Sequence, residues 1–164
     1  MGSNQGQDQD AGNDFNNKAG GPSQGPSHRL LEAFVGTWKV EGDTHGEGNK
    51  DEAYGTEIYR WLDGEFFLEY HWDRTISGKR HTGLGVVGYD DFKQKYMTRN
   101  FDNLGFFREY ETTIEKGVMT LQGKEERATI GLNAGENNIT IDWEFTKDGH
   151  TWERLCHLKG HKVH

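Results

Sequence analysis

From Gly36 onward, apolar and polar residues alternate with a period close to two, in short runs separated by turn residues. Phe66, Leu68, Tyr70 and Trp72 share one face of one run. Ile139, Ile141, Trp143 and Phe145 share one face of another, with Thr140, Asp142 and Glu144 opposite. Ten such runs predict strands over 37–45, 54–62, 65–74, 79–89, 94–101, 106–115, 118–123, 124–132, 137–146 and 150–158. Asp63-Gly64 is a strong tight-turn signal, and Ser77-Gly78, Lys116-Gly117 and Asp148-Gly149 punctuate other runs. The connections are mostly two to five residues long, so neighbours in sequence become neighbours in space. No stretch is long enough for a helical crossover, which argues against parallel pairing. An open sheet of ten strands would expose two edges, and closure removes both. The predicted fold is all-β: a ten-stranded up-and-down antiparallel β-barrel.

Upstream of Gly36 the period is nearer 3.6. Residues 28–35, HRLLEAFV, predict a short N-terminal helix with Ser27 as N-cap and Gly36 just past its end. Leu30, Leu31 and Phe34 fall on its apolar face, as a lid against a core requires. Residues 1–27 are rich in Gly, Asn, Gln, Ser and Asp, with Phe15 as the one aromatic. Such a segment buries too little apolar surface to offset its ordering entropy. The domain expectation is therefore a disordered tail over 1–27 and a barrel over 28–164. Both prolines, Pro22 and Pro26, lie in that tail, leaving a proline-free barrel.

Charge and composition narrow the partners. With 27 Asp+Glu against 19 Lys+Arg, the chain carries a net charge of -8, which repels phosphate backbones and argues against nucleic acid. No apolar run approaches the roughly 18 residues that span a bilayer. The opening MGSNQGQDQD lacks the basic and apolar regions of a secretory signal, and Cys156 is the lone cysteine. A cytoplasmic location is the expectation.

Two stretches carry a resemblance. Phe34-Val35-Gly36-Thr37-Trp38 places a G-x-W signature on the first strand after a short helix. It resembles the opening of calycins, the lipocalins and fatty-acid-binding proteins. That likeness implies that Trp38 plugs one barrel end with a basic last-strand residue, here Arg154, packed across it. Gly83-x-Gly85-x-x-Gly88-Tyr89-Asp90, Lys95-Tyr96 and Asp148-Gly149-x-x-Trp152 look like an uncharacterised, mainly bacterial family of calycin-like domains, over about residues 30–160. That family brings no catalytic residues. A more distant likeness is to nitrobindins, ten-stranded barrels that bind haem b and act on reactive nitrogen species. Leu155-Cys156-His157-Leu158 loosely matches their C-terminal ligand stretch and makes His157 the candidate haem ligand. Val40 stands where that family has glycine.

Motifs of other chemistries fail on context. Gly83–Gly88 satisfies G-x-G-x-x-G but lies inside a strand with no helix after it, so it is not a dinucleotide loop. His157 and His161, four apart, would sit roughly 13 Å apart on a strand, too far to share a metal. No metal site is expected. Cys156 and His157 point to opposite faces and cannot form a nucleophile–base pair. Glu69, His71 and Asp73 share a face, read as the wet outer one because Tyr70 and Trp72 need the interior.

The domain carries 19 of the 20 aromatic residues without a catalytic motif. The expected function is binding of a small apolar or aromatic ligand inside the barrel, with no cofactor, against a lining of Trp61, Tyr70, Trp72 and Trp143. Rival readings are the haem-binding barrel, an isomerase or cyclase using the same cavity, and a filled barrel acting through its surface as a homodimer. A titratable group inside the barrel separates them.

Overall fold

The computed structural model describes residues 21–44, 52–133, 135 and 137–164. Ten strands follow in order: β1 Gly36–Thr44, β2 Glu52–Trp61, β3 Phe67–Ile76, β4 Lys79–Asp90, β5 Lys95–Asp102, β6 Phe107–Glu115, β7 Val118–Gln122, β8 Glu126–Asn133, β9 Asn138–Thr146 and β10 Trp152–Lys162. Each pairs with its successor, and β1 pairs antiparallel with β10, so the sheet closes into a barrel without an edge.

The alternation sets the register. Leu68, Tyr70, Trp72 and Arg74 point inward from β3, and Ile139, Ile141 and Trp143 from β9. The two-residue Ser77-Gly78 turn, with both residues at positive φ, pairs Ile76 with Lys79. That pairing sets Trp72 opposite Gly83 and Tyr70 opposite Gly85. A Cβ at either glycine would overlap the facing ring, so each ring lies flat over bare backbone, against the inner wall. The glycines thus keep the bulky rings from crossing the lumen.

The helical cap differs from expectation. Four α-helical residues, α1 Pro26–Arg29, lead into a 3-10 turn, Leu30–Phe34. The N-cap is Gly25, not Ser27, because Pro26 takes a first-turn position, where its missing N–H costs nothing. Ordered structure therefore begins inside the segment read as a tail, whose residues 1–20 lie outside the described ones. In the 3-10 turn Leu31 and Phe34 are fully buried, whereas Leu30 is half exposed. The tighter 3-10 spacing aligns residues three apart and swings Leu30 off the apolar face. Of the stretch 46–52 between the first two predicted strands, only Glu52 is described, and it opens β2. Ala134 and Glu136 of the β8–β9 turn are also outside the described residues. The last strand runs four residues beyond Leu158, to Lys162.

Candidate functional site

The interior has two storeys. Beneath α1 and the 3-10 turn, Leu31, Phe34, Trp38 and Tyr59 are all at most 2% exposed and belong to the buried core. The Trp38 indole N–H donates to the Phe34 carbonyl at 3.0 Å. Across this end His28 is buried between the rings of Phe66 and Tyr89. Tyr96 Oη donates to the Ser27 carbonyl at 2.6 Å, which ties α1 to β5.

The other storey is open. A cavity of about 310 Å³ lies between Tyr70, Trp72, Tyr110, Trp143, Leu155 and Cys156, and it reaches the β3–β4 and β5–β6 turns through Ile76, Lys79, Leu104 and Phe106. Its size suits a small ligand. A ladder of rings leads to it from the packed end: Phe34 to Tyr59 at 6.5 Å, Tyr59 stacked on Tyr70 at 5.1 Å, then Trp72 and His81, each step 5.7 Å. Tyr110 meets Trp143 edge-on across the lumen.

A buried ion pair forms the cavity floor. Glu57 and Arg74 are 1% and 6% exposed. Arg74 Nε donates to Glu57 Oε1 at 2.7 Å, Nη2 reaches the same oxygen, and Tyr59 Oη donates to Oε2 at 3.1 Å. The carboxylate is met on both oxygens, which is what permits two charges to sit this deep. Tyr70 Oη donates to Asn100 Oδ1, and burial pushes the Tyr70 phenol far above its ordinary range.

The polar wall is a chain of groups near the mouth. Asp102 Oδ1 accepts the backbone N–H of Leu104 and Phe106 at 2.9 and 3.0 Å. Burial would raise this carboxyl, but the Phe106 amide, His81 and the Leu104 amide outweigh it and hold it below the usual range. Oδ2 faces His81 Nε2 at 3.4 Å and Arg108 Nη1 at 3.5 Å. The Arg108 Nη2 lies 3.4 Å from Glu126. Glu126 is raised by its burial, only partly offset by Arg108 and by the Tyr110 hydroxyl, which donates to it at 3.3 Å. Burial also lifts the Cys156 thiol to about 11, so this cavity-lining sulfur is a neutral apolar contact.

Among the predicted lining residues, Tyr70, Trp72 and Trp143 meet in this cavity. Trp61 does not. It points inward at the packed end of β2, beside Leu68, and its indole N–H donates to Glu32 of the 3-10 turn. The barrel-end pair also changes: Lys162 Nζ lies 5.6 Å from the Trp38 ring, and the two residues pair across β1 and β10. Arg154 is exposed and paired with Glu144 on β9, beside a bulge between Arg154 and Cys156. It is too far along β10 to reach Trp38. His157 faces outward, because Cys156 and Leu158 take the interior, and its Nδ1 pairs with Asp142. It cannot ligate an iron held inside the barrel, so the residues do not fit the expected haem arrangement. Glu69, His71 and Asp73 lie on the outer face, with Glu69 bound to Arg60 and His71 and Asp73 to Arg80. Among the described residues no group of three or more His, Cys, Asp or Glu side chains could hold a metal.

Arg74, His81, Asn100, Asp102, Arg108 and Glu126 were not among the predicted site residues. Arg74 continues the inward phase of Tyr70 and Trp72, which is the one signal that could have found it.

A closed ten-stranded antiparallel barrel, plugged at one end and open to a cavity at the other, defines a lipocalin-like class of protein. Residues 23–152 match the family described as a protein of unknown function (DUF1579), and the chain belongs to that family. No curated protein matches it. Among solved structures it is similar to the S-type phycobiliprotein lyase CPES from Guillardia theta, at 11% identity and a TM-score of 0.56, over 83% of this chain and 92% of that one. A de novo designed fluorescence-activating β-barrel aligns at 12% identity and a TM-score of 0.40, over 81% of this chain and 96% of the design. No helix among the described residues is long and apolar enough to cross a membrane.

Proposed function

We propose that this protein binds a small, largely aromatic molecule inside the open half of its barrel. The observation that carries the reading is the cavity of about 310 Å³ faced by Tyr70, Trp72, Tyr110 and Trp143, in a barrel whose other half is packed solid. Aromatic walls give a flat ligand large contact area at little entropic cost, while the polar wall fixes its orientation. The buried indole N–H groups of Trp72 and Trp143 have no hydrogen-bond partner among the described residues, and a buried donor without a partner is costly. The phycobiliprotein lyase shares this fold, which is compatible with the reading.

The test is titration with a neutral hydrophobic fluorophore such as N-phenyl-naphthylamine. Saturable binding with quenching of tryptophan emission is expected. Trp72→Ala should weaken it roughly tenfold or more, the loss of one ring contact. Wild-type protein that takes up no probe, or a Trp72→Ala variant of unchanged affinity, would remove the cavity from its proposed role.

A further inference from the structure

We infer that the ligand is an aromatic anion, with its negative group received by Arg108. This rests on the cavity reading above and adds the charge class of the occupant. The chain as a whole is strongly acidic, at -8. Its cavity nevertheless gathers four cations, Arg74, Lys79, Arg80 and Arg108, beside the carboxylates of Asp102 and Glu126. Two of these cations are engaged elsewhere. Arg74 is locked to Glu57 at 2.7 Å, and Arg80 makes a bidentate pair with Asp73 on the outer face at 2.8 and 3.0 Å.

Arg108 is held differently. Its guanidinium reaches Asp102 and Glu126 only at 3.5 and 3.4 Å, beyond the roughly 2.7–2.9 Å of a charge-assisted hydrogen bond. Neither contact meets hydrogen-bond geometry, so a planar fork of five donors stands in the cavity wall without a close acceptor. Asp102 meanwhile spends one oxygen on two backbone amides. Phe106, at 4.1 Å from the guanidinium, holds it in place from the turn.

The position of Arg108 supports the same role. Arg108, Tyr110 and Glu126 also line a second opening of about 370 Å³, between β6 and the β7–β8 turn. The guanidinium therefore stands where the lumen meets a lateral gap, and its side chain is 21% exposed. An anion there keeps part of its hydration while its ring enters the aromatic half. Lys79 at the rim makes no ion pair among the described residues and adds to the attraction at the mouth.

The experiment compares two probes on the full chain: anilinonaphthalene sulfonate, which is anionic, and N-phenyl-naphthylamine, its neutral relative. The expected result is tighter binding of the sulfonate by about tenfold or more. Arg108→Gln should abolish that preference, with the amine still bound saturably, which also shows that the barrel has folded. Equal affinities in the wild type, or a preference that survives Arg108→Gln, would overturn the anion assignment and leave the cavity reading intact. If neither probe binds, both fall together. If Arg108→Gln loses both probes, Arg108→Lys decides, since it keeps the charge but loses the fork. A reduced preference supports the assignment, and an undiminished one overturns it.

Discussion

Trp38 and Trp61, at the end covered by α1 and the 3-10 turn, each donate the indole N–H to a protein oxygen, the Phe34 carbonyl and the Glu32 carboxylate. Trp72 and Trp143, in the open half, donate to none among the described residues. Four tryptophans of one barrel thus divide by height rather than by face. The lower pair belongs to a close-packed plug with every donor met. The upper pair borders open space and keeps its polar handles unspent. A barrel optimised only for stability would not stop packing halfway, and the difference is what the proposed binding role rests on.

The comparison can be broken most directly by truncation. Phe34→Ala should destabilise by about 3–5 kcal/mol, because a fully buried ring is removed from a plug with no room to relax. Trp143→Ala should cost clearly less in denaturant titration, since that ring already borders the cavity. Equal losses would mean that the two storeys are packed alike. Next comes the floor between them. Arg74→Met leaves Glu57 buried without its cation and should cost about 3–5 kcal/mol, whereas Arg74→Met with Glu57→Gln should recover much of it. A double variant no better than the single one would mean that the pair is not what supports the floor.

The smallest expected effect lies in the β9–β10 turn. Asp148 accepts the backbone N–H of His150 and Thr151, each at 2.7 Å, and the Thr146 hydroxyl at 3.1 Å. The Thr151 and His150 amides are the main reason its pKa falls to about 2 from the ordinary 3.8. A carboxyl lowered in the folded state stabilises fully above its unfolded value and loses that contribution as pH falls through the folded value. Asp148→Asn should therefore lower the Tm at neutral pH, and the gap from wild type should close between about pH 4 and pH 2. Probe affinity should be unmoved throughout, because this turn does not line the cavity.

Period and turn chemistry made the barrel legible from the sequence, including the Ser77-Gly78 turn that sets the β3–β4 register. The site was less legible, for a geometric reason. Alternation reports which face a side chain takes, not how far along the barrel axis it stands. Trp61 shares the inward phase of Glu57 and Tyr59, yet it lies at the plugged end. Arg154 was set across Trp38 by a last strand taken as ending at Leu158. The four further residues carry Lys162 to that position instead. The phase that buries Cys156 and Leu158 itself turns His157 outward, so the resemblance that made it a ligand fails on local geometry. Glu125-Glu126 reads from the sequence as solvated charge at a strand start, and Arg108 as one more charged strand residue of the kind usually found on the outer face. Only the closed barrel shows that Arg108 and Glu126 face a cavity.

Barrel closure has a kinetic side. Nine of the ten strand pairings join strands consecutive in sequence, while the tenth, β1 with β10, joins the two ends of the sheet. Hairpins can zip one upon another at little loop-closure cost, but the final seam must gather a span of more than a hundred residues. Until that seam forms, β1 and β10 are both raw edges able to pair with other chains. Trp38 and Lys162 lie opposite each other across it, so the residues that finish the plug also fasten the seam. The plugged end is then the one that commits the chain to its native state.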